Sequence, residues 1–221
     1  MTKDDVRWRI IELGIVPVVR ASSAAMAVVG AEAVCAAGVS IVEITMTVPG
    51  ALDVIKRLVK TMAPHVIVGA GTVLDSDTAL RCIEAGAEFL VSPGFDLNTV
   101  RLANREQKLM MAGAMTPTEV ITAWKAGSDM VKIFPCGNLG GPRYLKALKG
   151  PLPQIPMVPT GGVSLDTARD FILAGATALG VGGDLVSEAA LISGDTSQIT
   201  AAAAKYLAIV EQARREMVSN N

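Results

Sequence analysis

The sequence predicts an α/β fold with a single domain, the (β/α)8 TIM barrel, from three observations. Short segments rich in β-branched residues alternate with longer helical patterns along almost the whole chain, as in parallel sheets whose strands are joined by helices. Eight such units fit into 221 residues, and this barrel usually takes roughly 250 residues with a lower limit near 200. No linker-like or low-complexity segment interrupts the pattern. We therefore expect residues 1–221 to form one domain, with an N-terminal and a C-terminal helix packed on the barrel.

The predicted strands are, in chain order, 15–20, 40–45, 66–70, 89–92, 109–112, 130–134, 157–160 and 178–182. Between them lie segments rich in Ala, Leu, Glu and Lys that have recognisable helix starts. Residues 116–119 (TPTE) form a capping box with proline at the first helical position. Asp75 and Ser164 are further N-cap candidates. Periodicity alone also fits an open, doubly wound sheet, so a second signal is needed.

The second signal is an Ala-Gly pair that recurs just before the second, fourth, sixth and eighth predicted strands. Its glycines stand at positions 38, 86, 127 and 175, where a helix needs a left-handed residue to end. Five residues beyond them come Glu43, Val91, Lys132 and Gly180. Alternate strands of a (β/α)8 barrel contribute side chains to the same interior layer. Glu43 and Lys132 are therefore predicted to share a layer, across the barrel from each other, which an open sheet would not make expected.

Composition argues against several classes of function. The chain has 20 Lys and Arg against 21 Asp and Glu, so it lacks the basic surface of a nucleic-acid binder. One histidine argues against a zinc cluster or a Ser-His-Asp triad, and no metal or organic cofactor is expected. Three cysteines without CxxC spacing favour a reducing compartment, the cytoplasm. The mean hydropathy is +0.44, but the most apolar stretch, 24–39, is shorter than the roughly 20 residues of a membrane span.

Two residues could carry chemistry because they interrupt apolar strands. Lys132 is in phase with Met130 and Phe134, which places all three inside the barrel. A buried lysine has a lowered pKa, which frees its amine as a nucleophile. Glu43 is the counterpart of opposite sign, and a carboxyl group in a dry interior has a raised pKa and can move protons near neutrality. The alternative is a purely structural ion pair between the two residues, and the sequence leaves both interpretations open.

Glycine-rich loops follow the third, seventh and eighth predicted strands, at 69–72, 160–164 and 180–184. After strands seven and eight, barrels often build a phosphate site from backbone N–H groups and a helix N-terminus. Neither loop is a Rossmann or Walker motif, so no nucleotide is implied. No chemical role is expected for four other candidates. Cys136 is predicted to be a buried space-filling thiol and His65 a surface residue at the opposite end of the barrel. Lys146 and Lys149 are predicted to be solvated charges.

Six segments carry a resemblance to a known family: 42–45 (VEIT), 69–73 (GAGTV), 91–94 (VSPG), 115–119 (MTPTE), 131–135 (VKIFP) and 159–163 (PTGGV). In this order and at this spacing they resemble the 2-keto-3-deoxy-6-phosphogluconate / 4-hydroxy-2-oxoglutarate aldolases over residues 15–186. The resemblance implies a class I aldolase on a (β/α)8 barrel, typically a homotrimer and needing no metal. Its substrate would be 2-keto-3-deoxy-6-phosphogluconate, and also 4-hydroxy-2-oxoglutarate, which are cleaved to pyruvate and glyceraldehyde 3-phosphate or glyoxylate.

The resemblance also assigns site residues by position. Lys132 would form the Schiff base, and Glu43 would be the general acid and base. The residues around the pyruvyl part would be Thr72, Pro93, Phe134 and Thr160. Those holding the phosphate would be Gly161, Gly162 and Gly183, with Gly182 beside them.

The chain departs from the family pattern at two places. Many members carry an arginine for the substrate carboxylate where Thr47 stands, and Arg20 at the end of the first strand is the candidate replacement. Gly183 stands where a phosphate-binding serine is frequent, and the following Asp184 would be unfavourable beside a phosphate unless it points away. Asp184 also resembles the 6-phosphogalactonate aldolases, so the preferred C4 stereochemistry is open. Alternatives from other classes are a decarboxylase or isomerase barrel and a non-catalytic phosphate-binding barrel.

Overall fold

Eight parallel strands form the barrel wall in the computed structural model, which describes residues 1–219. The strands are β1 (Ile15–Val19), β2 (Ile41–Thr45), β3 (Ile67–Gly71), β4 (Phe89–Val91), β5 (Leu109–Ala114), β6 (Met130–Ile133), β7 (Met157–Pro159) and β8 (Leu179–Val181). Every predicted strand is present. The largest difference is β5, which continues to Ala114 instead of ending at 112. Glycine and alanine have weak strand propensity, and pairing with β6 extends the strand through them.

The strands follow one another around the ring in chain order from β1 to β7, and β8 pairs with β1. A parallel bridge between Thr160 and Gly180 joins the remaining edges, just beyond β7 and within β8. Eight parallel strands in a ring, each followed by helical chain, make a TIM barrel. The predicted fold class is confirmed, and the open doubly wound sheet is excluded.

The helices are α1 (Lys3–Leu13), α2 (Ala24–Cys35), α3 (Ala51–Met62), α4 (Ser76–Glu84), α5 (Leu97–Arg105), α6 (Pro117–Lys125), α7 (Pro142–Lys149), α8 (Ala168–Leu173), α9 (Glu188–Ser193) and α10 (Ser197–Ser219). The predicted capping box is formed at Thr116 and Glu119, and Asp75 accepts a hydrogen bond from the Thr78 amide at 2.7 Å. The glycines at 38, 86, 127 and 175 all have φ between 90° and 101°. The helix ends therefore lie where the repeated Ala-Gly pair predicts them.

The predicted N-cap at Ser164 is wrong. Helix α8 begins at Ala168, and Thr167 precedes it. The Ser164 amide donates to the Thr167 hydroxyl at 2.9 Å, and the Ser164 carbonyl accepts from the Ala168 amide at 2.9 Å. Ser164 thus opens a hydrogen-bonded turn ahead of the helix, a role that serine side chains and backbone also favour.

Two apolar layers hold the barrel together. The outer layer lies between strands and helices, and α10 packs against α8 and α2 there. The inner layer fills the barrel, and Val6 and Ile10 of α1 close its amino-terminal end by packing against inward residues such as Ile41 and Phe89. The opposite end, at the carboxyl termini of the strands, is left for polar side chains. Within residues 1–219, no helix combines the length and the apolar character needed to cross a membrane.

The strand registers place Glu43 and Lys132 in one interior layer. The line of paired residues that starts at Glu43 runs through β3 and β4 to Leu109 of β5, and from there to position 128, just before β6. In a barrel with eight strands and a shear number of 8, residues at the same height lie one position further toward the carboxyl end, relative to this line, with each strand. Four steps lead from β2 to β6, so the layer climbs four residues, from position 128 to Lys132. The predicted sharing of a layer is confirmed.

Candidate active site

Glu43 and Lys132 lie buried inside the barrel, with 2% and 3% of their surfaces exposed. Within the described chain, no carboxylate lies within 4.0 Å of Lys132 Nζ, and Glu43 Oε1 has no hydrogen-bond partner. The direct structural ion pair considered above is therefore not formed. A buried polar atom without a partner is rare, and it calls for an explanation beyond packing.

Burial drives both groups toward their neutral forms. It raises the pKa of Glu43, and the charges of Lys132 and Arg20 oppose that rise. Burial also lowers the pKa of Lys132; Glu43 opposes the change and Arg20 adds to it. A neutral amine is the nucleophilic form of lysine, and a protonated carboxyl group is the acidic form of glutamate. Each group is shifted toward the form that can react with a carbonyl compound.

Inward-facing glycines keep the space around the pair open. A Cβ atom on Gly71 would lie 1.8 Å from Glu43 Oε1, so only glycine lets the carboxylate occupy its position. A Cβ atom on Gly113 would lie 2.2 Å from the Pro93 carbonyl group, because the loop after β4 folds over this position. Sequence reasoning missed Gly71 and Gly113 as residues that shape the site. Their inward phase within β3 and β5 was the signal that could have found them.

A cavity of about 170 Å³ opens at the carboxyl ends of β1, β6, β7 and β8. Its walls are formed by Val18, Arg20, Phe134, Thr160, Val163, Asp184 and the glycines at 161, 162, 180, 182 and 183. Lys132 Nζ lies 5.2 Å from the centroid of the Phe134 ring, so the amine and the cavity share this aromatic wall. The structure thus brings Arg20, Phe134 and Thr160 to one cavity beside Lys132.

The two candidates for holding a carboxylate lie in different surroundings. Arg20 lines the cavity and forms no ion pair with any carboxylate of residues 1–219. Thr47 is exposed and outside the cavity wall, and its hydroxyl hydrogen-bonds that of Thr45 at 2.8 Å. Thr45 in turn donates to the Val19 carbonyl at 3.2 Å. Arg20 is thus the residue whose charge is available to a ligand in the cavity.

Thr72 and Pro93 follow β3 and β4, at the same end of the barrel as the buried pair, but neither forms part of the cavity wall. Both are half-buried. Thr72 has φ of 59°, a left-handed conformation that is strained for a β-branched residue. Strain of this kind tends to be retained at functional sites, where the surrounding structure holds the residue in place.

The glycine-rich loops after β7 and β8 form much of the cavity wall. The amides of Gly162 and Gly183 donate no hydrogen bond within the described residues. The sequence predicts a helix N-terminus at the phosphate site after strands seven and eight. After β8 the structure has only a single helical turn, in which the Val186 amide donates to the Gly182 carbonyl at 2.9 Å. Helices α8 and α9 begin farther along the chain. The acidic Asp184 does not leave this region, because it is part of the cavity wall.

The remaining candidates lie outside the cavity. Burial raises the pKa of the Cys136 thiol to about 11, so it stays protonated near neutrality, and His65 and Lys146 are exposed. The interpretation of Lys149 as a solvated charge is wrong. It is half-buried and donates to the Ile155 carbonyl at 2.7 Å, which fastens the loop before β7.

A buried amine and a buried carboxyl group share one layer of a TIM barrel, with a small cavity beside the lysine at the carboxyl ends of the strands, and this arrangement fits carbonyl chemistry. The family model for KDPG and KHG aldolase matches residues 6–202. The 2-dehydro-3-deoxy-phosphogluconate aldolase of Pseudomonas aeruginosa is 36% identical over 189 residues, which cover 85% of each chain. The chain belongs to the KDPG and KHG aldolase family. It is a class I aldolase, a lyase acting on carbon–carbon bonds.

Solved structures agree with this assignment. One described as native KDPGal is 28% identical, with a TM-score of 0.85 and coverage of 92% of this chain and 97% of that one. The KDPG aldolase from Legionella pneumophila, with pyruvate captured as a covalent carbinolamine intermediate, is 27% identical. Its TM-score is 0.82, and the alignment covers 89% of this chain and 95% of that one.

Proposed function

We propose that the enzyme cleaves the C3–C4 bond of 2-keto-3-deoxy acids through a Schiff base on Lys132, releasing pyruvate and an aldehyde. The observation that carries this proposal is the buried layer in which Lys132 and Glu43 face each other without a direct ion pair. The family name supports 2-keto-3-deoxy-6-phosphogluconate and 4-hydroxy-2-oxoglutarate as substrates. The corresponding aldehydes are glyceraldehyde 3-phosphate and glyoxylate.

The first half of the reaction joins enzyme and substrate. The neutral amine of Lys132 attacks the C2 carbonyl carbon and forms a carbinolamine, and its lowered pKa makes the neutral form accessible. Glu43, whose pKa is raised, donates a proton to the C2 hydroxyl, which leaves as water. The product is a protonated imine, and the carboxyl group of Glu43 is left as a carboxylate.

The second half breaks the carbon–carbon bond. The Glu43 carboxylate takes the proton of the C4 hydroxyl, the aldehyde leaves, and the C3–C4 electron pair flows into the imine to give an enamine. Glu43 then returns a proton to C3, and water hydrolyses the resulting imine to pyruvate and free Lys132. Glu43 Oε1, buried without a protein partner, is an atom that can accept and return these protons.

The substrate is held from both ends in this proposal. Arg20 pairs with the C1 carboxylate, since it is the cation in the cavity wall. The residues that surround the pyruvyl part are Phe134 and Thr160 in the wall, with Thr72 and Pro93 at the neighbouring strand ends and Thr47 beyond them. The tail lies against the loops that carry Gly161, Gly162, Gly182 and Gly183, whose amides offer donors to a phosphate or a hydroxyl group.

The family resemblance also supports a homotrimer, and the three free cysteines support a cytoplasmic location without disulfides.

The similarity to the native KDPGal structure favours a second candidate substrate, the C4 epimer 2-keto-3-deoxy-6-phosphogalactonate. A panel of 2-keto-3-deoxy acids, assayed for pyruvate release, tests the proposal. Release from at least one acid is expected; release from none, with a folded protein, would contradict it and favour a non-catalytic phosphate-binding barrel.

A further inference from the structure

Two threonine hydroxyl groups and a carbonyl group form a chain of hydrogen bonds where β1 and β2 end. The Thr45 hydroxyl donates to the Val19 carbonyl at 3.2 Å, and the hydroxyl oxygens of Thr45 and Thr47 lie 2.8 Å apart. A hydroxyl group has one hydrogen to donate, and a carbonyl oxygen can only accept. Because the hydrogen of Thr45 is committed to Val19, Thr47 is the donor in the second bond. The chain of bonds therefore runs from Thr47 through Thr45 to Val19.

The turn after β2 builds this chain of bonds. Thr45 comes two residues after Glu43, so its side chain lies on the same inner face of the barrel, where it is fully buried. The Val48 amide donates to the Thr45 carbonyl at 3.0 Å, and this tight turn keeps the exposed Thr47 beside Thr45. The bonds thus connect the surface of the barrel end to the buried end of β2.

The acceptor belongs to the peptide group that carries Arg20. The Val19 carbonyl and the Arg20 amide are parts of one planar unit, so a bond to the carbonyl oxygen fixes the plane to which the Arg20 Cα atom is attached. The register between β1 and β2 ends at Val19 and Ile44, and Arg20 bonds to no other backbone group within residues 1–219. The Thr45 bond therefore fastens the chain at the base of the Arg20 side chain.

Arg20 needs such a fastening because its charged end has no ion-pair partner among the described residues. It is exposed and lines the cavity. A fixed backbone at the base of a long side chain reduces the ordering cost of binding an anion. We infer that Thr45 and Thr47 are positioning residues, whose hydroxyl groups hold the Val19–Arg20 peptide so that the guanidinium group meets the substrate carboxylate. This inference rests on the proposed function, in which Arg20 binds that carboxylate.

The experiment measures KM and kcat for pyruvate release, and pyruvate binding by borohydride trapping, in Thr45→Val. Valine keeps the branched shape of threonine and lacks the hydroxyl group. Loss of this hydrogen bond should raise KM and weaken pyruvate binding by about three- to tenfold, while kcat stays within about twofold of the wild-type value. Thr45→Ser, which keeps a hydroxyl group, should restore KM. Thr47→Val leaves the buried bond in place and should give a smaller rise in the same direction.

Two comparisons separate positioning from stability and from direct contact with the substrate. Thr200→Val is the matched control, because the Thr200 hydroxyl donates to the Ala33 carbonyl at 2.8 Å and joins α10 to α2 outside the barrel. Its KM should stay at the wild-type value, whatever its melting temperature. In the Arg20→Ala background, Thr45→Val and Thr47→Val should cause no further rise in KM, because the residue that they position is gone.

The other outcomes overturn stated parts. An unchanged KM in Thr45→Val, an equal rise in Thr200→Val, or a full further rise in the Arg20→Ala background would overturn the role of the two threonines, while the role of Arg20 stands. If Thr45→Val does not fold, the exposed Thr47→Val decides by the same criteria. If Arg20→Ala itself leaves pyruvate binding unchanged, the proposed binding of the carboxylate fails, and this inference fails with it.

Discussion

Replacing Gly71 by alanine should disable Glu43 while both reactive residues keep their identity. The new Cβ atom would lie 1.8 Å from Glu43 Oε1, whereas ordinary contact begins at 3.4 Å, so the carboxyl group must retreat by about 1.6 Å. A displacement of roughly 1 Å at a reacting group can cost about 10²-fold in rate. We therefore expect kcat/KM for pyruvate release to fall by about 10²-fold or more.

Stability should not follow the rate in this variant. Gly71 is in a strand and has no positive φ, and glycine there is less favourable than alanine by roughly 0.5–1 kcal/mol. The atoms that the new methyl group meets belong to the flexible end of Glu43, whose Oε1 has no hydrogen bond to lose. The melting temperature, followed by circular dichroism, is expected to stay level or to rise slightly.

The matched control is Gly94→Ala, in which the new Cβ atom meets nothing within 4 Å and φ is not positive. It should keep both the melting temperature and kcat/KM. Lys132 should still form an imine with pyruvate in Gly71→Ala, though more slowly, since the substitution meets Glu43 and not the amine. Wild-type kcat/KM in Gly71→Ala would refute the reasoning, because the position of the Glu43 carboxyl group would then be irrelevant to the reaction.

Three further predictions concern charge. Glu43→Gln should lower kcat by about 10²–10⁴-fold, the range of general acid–base catalysis, with little change in melting temperature; a large loss of stability at nearly full rate would instead identify a structural carboxylate. Because burial lowers the pKa of Lys132 and Glu43 opposes this, addition of the Lys132 amine to pyruvate should become faster with rising pH and reach half its maximal rate below pH 10.5. Glu43→Gln should move that midpoint to lower pH, and a shift to higher pH would contradict the assignment. Arg20→Ala should raise KM for all 2-keto acids and weaken pyruvate binding by about 10- to 100-fold, whereas exposed Arg101→Ala on α5 should not. Unchanged pyruvate binding in Arg20→Ala would mean that Thr72, Thr160 or backbone amides, and not Arg20, bind the substrate carboxylate.

Much of the barrel could be predicted because its signals are local. Strand periodicity and the glycines that end alternate helices depend on a few neighbouring residues, and both are realised. The shared layer of Glu43 and Lys132 followed from spacing, because the symmetry of the barrel turns a position in the chain into a height. These features therefore required no knowledge of tertiary contacts.

Other features depend on contacts between distant segments. The serine signal at Ser164 is the same for a turn and for a helix start, and the hydrogen bond to Thr167 decides between them. Lys149 looked solvated because its acceptor, the Ile155 carbonyl, lies in a loop of irregular shape. The position of Asp184 in the cavity wall depends on the turn after β8, which no periodicity predicts.

Trapping with pyruvate and borohydride tests the central claim most directly. Borohydride reduces a protonated imine to a stable secondary amine, so mass spectrometry of the digested protein locates the modified lysine. The account predicts one reduced pyruvate adduct, on Lys132 alone. This lysine lies in the apolar strand β6, beside the cavity at the carboxyl ends of the strands. Lys132→Met should abolish it. An adduct on Lys146 or Lys149, or none on the folded wild-type protein, would contradict the account.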